Sequence, residues 1–199
     1  MSDPEASMER SGAAAGGREY RLRFRTARDL FDEFPAARQD MKAAPTDQDC
    51  IGFLNGLAAS ATPEEAITFA AYLLPPREAV WWAHQCLSYV PDALTETDHQ
   101  MLAFAEAWVR EPEEDPRNTA LEAANDAETE TPGVWVAFAA GWSGGSMGPR
   151  DVSAVPPPPF LTARAVNAAV LGLLARVDTE HRDEMLRGFV QMAIKLTEA

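Results

Sequence analysis

Residues 141–145 read Gly-Trp-Ser-Gly-Gly and satisfy G-x-S-x-G, the pattern that places a serine nucleophile on a strained turn. Acyl chemistry at Ser143 would need a strand before it, a helix after it and a histidine within reach. The surrounding sequence predicts the reverse order. Thr131-Pro132 is a helix start, and Trp135, Phe138, Ala139 and Trp142 follow at i, i+3, i+4 and i+7. Gly144, Gly145, Gly148 and Pro149 then forbid a regular helix, and the only downstream histidine is His181. Glycine just past a helix is the ordinary C-cap, so Ser143 is read as ending a helix, and no catalytic residue is assigned. A phosphate-binding loop also fails, because no lysine lies between Lys42 and Lys195.

The stretch from Ser143 to Pro159 is long for a connection in a compact domain, and Pro156–Pro159 should run as polyproline II. It is either a strapped-down spacer or a contact surface. Trp81 and Trp82 raise a similar question, since adjacent helix positions point about 100° apart and cannot both face one narrow stripe. Either their helix is buried on two sides or one indole is open to a partner. The candidate interaction surface is therefore Trp81, Trp82, Trp142, Ser143, Gly144, Gly145, Ser146, Pro156 and Pro157. A second reading is an enzyme or small-ligand binder with a pocket near Trp135, Trp142 and His84. His84, His99 and His181 do not form a compact metal motif, and Glu111, Glu113, Glu114 and Asp115 read as a solvated turn. No metal or other cofactor is expected.

The elements that must position these residues are helical. Alanine and leucine outweigh valine and isoleucine, and proline-marked helix starts recur along the 199 residues. Caps are predicted at Thr26, Thr62, Thr95, Thr131 and Thr162, with further helices from Asp47, Asp115 and Asp178 and one following Pro76. The last four threonine caps are spaced 33, 36 and 31 residues apart, near a helix-hairpin repeat, but the residues inside the units do not match. The expectation is an all-α, irregular multi-helix bundle of about eight helices. Residues 1–17 read as a disordered tail and 18–199 as a single helical domain. In REYRLRF, Tyr20, Leu22 and Phe24 alternate with arginines, which predicts a short extended arm lying on its own body or added to another protein's sheet.

Charge narrows the partners. Residues 1–42 carry eight basic and eight acidic residues, so the whole net charge of −14 falls on residues 43–199. Such a polyanion repels nucleic acid and anionic membrane, and it favours a protein partner, basic in character. Cys50 and Cys86 sit in apolar helical patterns and read as small hydrophobes. With no secretory leader and no apolar stretch of spanning length, the expected location is cytoplasmic.

The segments PPREAVWWA at 75–83, AWVREP at 107–112, TPGVWVAFAAGWSGGSM at 131–147 and VPPPPFLTARAV at 155–166 resemble a family of uncharacterised bacterial proteins, classed as a domain of unknown function. The likeness covers roughly residues 60–175. It implies a bacterial helical protein with an accessory role near type VI secretion genes, and it supplies no catalytic residues to carry over. The sequence as a whole is read as a non-enzymatic interaction or accessory protein.

Overall fold

A computed structural model describes residues 22–148 and 153–198. The expected tail and the start of the arm at Tyr20 lie outside them. Ten α-helices are present among the described residues: α1 (Ala27–Glu33), α2 (Ala37–Asp40), α3 (Cys50–Ala58), α4 (Glu64–Leu73), α5 (Pro76–Ser88), α6 (Glu96–Arg110), α7 (Glu114–Asn125), α8 (Pro132–Gly141), α9 (Leu161–Arg176) and α10 (Thr179–Thr197), with a 3-10 turn at Pro91–Ala93 between α5 and α6. The fold is all-α. The count exceeds the expected eight in part because α2 is a single turn, too short to show a hydrophobic period.

Capping residues set most of the helix starts. Thr26 and Thr95 each form a reciprocal capping box, with Asp29 and Asp98 three residues on. Thr131 and Asp178 accept from Val134 and His181. Two expected caps are corrected. Pro63 occupies the N-cap position of α4, so Thr62 lies one residue outside, and α9 begins at Leu161, which puts Thr162 in its first turn as a buried side chain.

The part of the arm that is described packs on its own body. Phe24 is buried edge-on against Phe34 while Arg23 and Arg25 face solvent, as the alternation predicted, but pairing is limited to one bridge, Thr26 to Asp49. Further fastening comes from Asp40, which takes both nitrogens of an Arg164 fork at 2.8 and 2.9 Å and the hydroxyl of buried Tyr72. This joins α2 to α4 and α9. Cys50 and Cys86 are free and buried, and burial pushes the Cys50 thiol up to about 12. Among the described residues no helix is long and apolar enough to cross a membrane.

At the centre is α8, which packs on α5, α6, α7 and α9. Eight of its ten residues are buried, and only Trp135 and Phe138 are partly open. A helix buried nearly all round must bring its own solution for the unpaired N–H and C=O groups at its ends, because water cannot reach them. That requirement builds the candidate site.

Candidate functional site

The two ends of α8 are held by buried charges of opposite sign. At the N-terminus the Gly133 N–H donates to Asp98 Oδ1 at 2.7 Å, and Val134 N–H donates to the Thr131 hydroxyl. Asp98 has no exposed surface, and its other oxygen accepts from Thr95 N, Thr95 Oγ1 and Arg176 Nη1 at 2.8 to 2.9 Å. Burial works against the Asp98 carboxylate, but hydrogen bonds from Thr131, Thr95, Arg176 and Gly133 outweigh it and hold the acid well below the usual carboxylate range. Helices α6, α8 and α9 meet at this one side chain. Contact this close depends on Gly133, whose Cβ, if present, would lie 2.5 Å from the Asp98 Cα.

At the C-terminus the partner is Arg117 of α7, only 4% exposed. It donates five hydrogen bonds: to Gly141 O at the end of α8, to Ser146 O in the following loop, to both oxygens of Glu114 and to Asn118 Oδ1. A cation at the negative end of a buried helix and an anion at the positive end both complement the helix dipole. Glycine again permits the approach, since a Cβ on Gly141 would stand 2.7 Å from the Leu121 Cβ.

The loop after α8 is shaped by the same arginine. Gly145 has φ +61°, and a Cβ there would lie 2.5 Å from the guanidinium. Its neighbour Gly144 differs completely: a Cβ would meet nothing within 4 Å. Ser146 Oγ accepts from Gly148 N and Val155 N, while Met147 N donates to Val155 O, so the two ends of the loop are drawn together. Ser143 Oγ donates to Ala140 O at 2.6 Å, back into the last turn of α8. The hydroxyl is thus a C-terminal helix cap. A helix precedes it, as the glycines and the hydrophobic period predict, whereas a nucleophile elbow has a strand there.

Most of the residues singled out in the sequence converge here. A groove of about 320 Å³ is lined by Trp142, Ser143, Gly144, Gly145, Pro156 and Pro157, with Phe34, Glu33 and Arg23 of the N-terminal segment forming its opposite side. Ser146 does not line it. The tryptophan of the floor is ordered by Phe138, stacked at 4.7 Å and 21°.

One expectation is corrected. Trp82 cannot be a surface contact, because it is completely buried and its indole N–H donates to Phe189 O at 2.9 Å. Trp81 remains half-buried, stacks on His84 at 5.1 Å and lines a separate groove with Arg77, Glu106 and Arg110. The pair is therefore split between core and surface, as the 100° separation requires. Neither of these two grooves is lined by Trp135, Trp142 and His84 together. Trp135 and Trp142 sit in one ring cluster with Phe138, whereas His84 turns to Trp81 and to Glu106, 4.0 Å away. Burial lowers the His84 pKa, with Glu106 opposing and Arg110 adding to the shift.

The residues that sequence reasoning missed are Asp98, Arg117, Gly133 and Gly141. In the sequence Asp98 shows only the spacing of a capping box, three residues after Thr95. The one available signal for Arg117 was its position on the buried side of a helix otherwise lined by Ala120, Leu121 and Ala124.

These features define a class: an all-α protein organised around a short buried helix whose charged C-terminal clamp presents a glycine-proline loop. The chain belongs to a family of unknown function (DUF6931), whose model matches residues 53–197. The match takes in both ends of α8 and the loop, but not Arg23, Glu33 or Phe34. No curated protein and no solved structure matches the chain.

Proposed function

We propose that the protein is a non-enzymatic interaction module that receives an extended segment of a basic protein partner in the groove beside Trp142. The observation that carries this reading is the contrast within the loop. Arg117 fixes Gly145 and Ser146 in place, while Gly144 leaves open space above the backbone and Trp142, Pro156 and Pro157 supply apolar walls. A surface held rigid before binding loses little conformational entropy on association, and an aromatic floor with proline walls suits an extended chain. Glu33 and Arg23 both line the groove, and the net charge of −14 favours a basic segment. The cellular setting we propose, a cytoplasmic accessory role beside bacterial type VI secretion, rests on the sequence resemblance.

The test is affinity capture from the native bacterium with the wild type, Gly144→Gln and Trp142→Ala, each checked by thermal melting. The Gln side chain enters open space and obstructs the groove without disturbing Arg117. A partner recovered with wild type and lost with folded Gly144→Gln supports the reading. Equal recovery with both folded variants refutes it.

A further inference from the structure

A second surface lies between the end of α5 and one face of α10. It is a groove of about 420 Å³ whose floor is Met185, Phe189 and Met192 and whose wall is Tyr89, with Glu184 at the rim. Tyr89 is 69% exposed, yet its ring is fixed edge-on to Phe189 at 6.3 Å. Gly188 stands in the middle of α10, where glycine costs helix stability relative to alanine. Nothing inside the molecule requires it, because a Cβ at 188 would meet no atom within 4 Å. The open Cβ position leaves room for a group that approaches from outside.

We propose that this groove docks an amphipathic helix of a basic partner protein, its apolar face laid across Gly188. Met185 and Met192 are seven residues apart, two turns or roughly 10 Å along α10, the repeat over which a second helix presents one apolar stripe. Methionines adapt to the shape of an incoming side chain, and an exposed, positioned tyrosine is a typical anchor. Charge selects the partner. The first turns of α10 carry Asp178, Glu180, Asp183 and Glu184. Against them stand Arg187 and Arg182, the latter bonded to Leu174 O and Val177 O, while His181 pairs with Asp178, so residues 178–187 carry a net charge of −2 with His181 neutral, and of these acids Glu184 lines the groove. A second copy of this chain would bring two such acidic rims together on molecules each carrying −14, so self-docking is opposed.

The full-length protein should be titrated into a fluorescein-labelled synthetic helix about three turns long, with leucines at i, i+3, i+4 and i+7 and lysines elsewhere. Fluorescence polarisation at physiological salt reads the binding. Two control peptides are used: one of the same composition with the leucine period scrambled, and one with glutamates for the lysines. The periodic lysine peptide should bind at least about tenfold more tightly than either control, and Gly188→Gln or Tyr89→Ala should weaken it by about tenfold or more. Gly56→Gln, another open-space glycine in α3, and Gly144→Gln should leave it unchanged. Equal binding of the scrambled lysine peptide, or full binding by folded Gly188→Gln, would overturn the proposal. So would sedimentation showing a wild-type dimer that Gly188→Gln dissociates, which would assign the groove to a second copy. Because Gly144→Gln reads the Trp142 groove separately, the failure of one surface does not count against the other.

Discussion

The two ends of α8 solve one physical problem and serve different purposes. At the N-terminus Asp98 is enclosed by three helices, and every donor it meets belongs to a helix start or to Arg176 of α9. At the C-terminus Arg117 satisfies Gly141 O but also reaches Ser146 O, beyond the helix and at the edge of a groove. The first end fixes how helices stack. The second converts a helix terminus into a rigid loop. Burial of the counter-charge is common to both; what differs is whether the chain leaves α8 into packed helices or toward solvent.

This contrast is broken most severely at Asp98. Asp98→Ala strands the Gly133 N–H and the Arg176 guanidinium, and urea denaturation should show a loss of about 3–5 kcal/mol. The acid dependence follows from the lowered pKa of Asp98 in the folded state. Its contribution is fully present above the unfolded carboxylate value of about 3.9 and is lost as pH falls below that toward the folded value. Wild-type stability should therefore drop on acidification below about pH 4, and Asp98→Asn should flatten part of that slope, as followed by denaturant midpoints across pH.

Arg117→Met comes next. It removes a buried charge whose carboxylate partner, Glu114, is 62% exposed and can return to water. The loss should be nearer about 2–3 kcal/mol, with hydrogen exchange accelerated at Ser146 and Met147 more than at Gly133. Uniform acceleration at both ends of α8 would show that the two clamps are not independent.

The smallest effects separate two neighbouring glycines. Gly145→Ala places a Cβ at positive φ against a tethered guanidinium, and thermal melting should report a loss of about 2 kcal/mol. Gly144→Ala should stay within about 0.5 kcal/mol of wild type. Equal penalties at the two positions would mean that Arg117 does not set the loop's shape.

How much of this was legible in the residues depends on the range of the interaction. Thr26, Thr95, Thr131 and Asp178 were readable as helix starts because each cap closes on a backbone group three residues away. The end of α8 at Gly141 and the reading of Ser143 as a cap followed from the glycines behind it in the same way. For α8 the period identifies the helix but not its most closely packed face. Trp135, Phe138 and Trp142 mark its partly open side, while the small residues Gly133, Val134, Ala137 and Gly141 face the neighbouring helices most closely. Close approach of the helices selects small side chains for that face.

The sequence by itself determined the helical class, most helix boundaries, the acidic net charge and the cluster of residues around Ser143. Each is a property of composition or of groups a few residues apart. Only tertiary structure decided that Asp98 meets Gly133 and that Arg117 meets Gly141, pairs 35 and 24 residues apart, and that Trp82 is inside while Trp81 is not. Such pairings depend on which helices touch and how closely, and a buried helix end acquires its counter-charge from whichever neighbour packing brings within hydrogen-bonding distance.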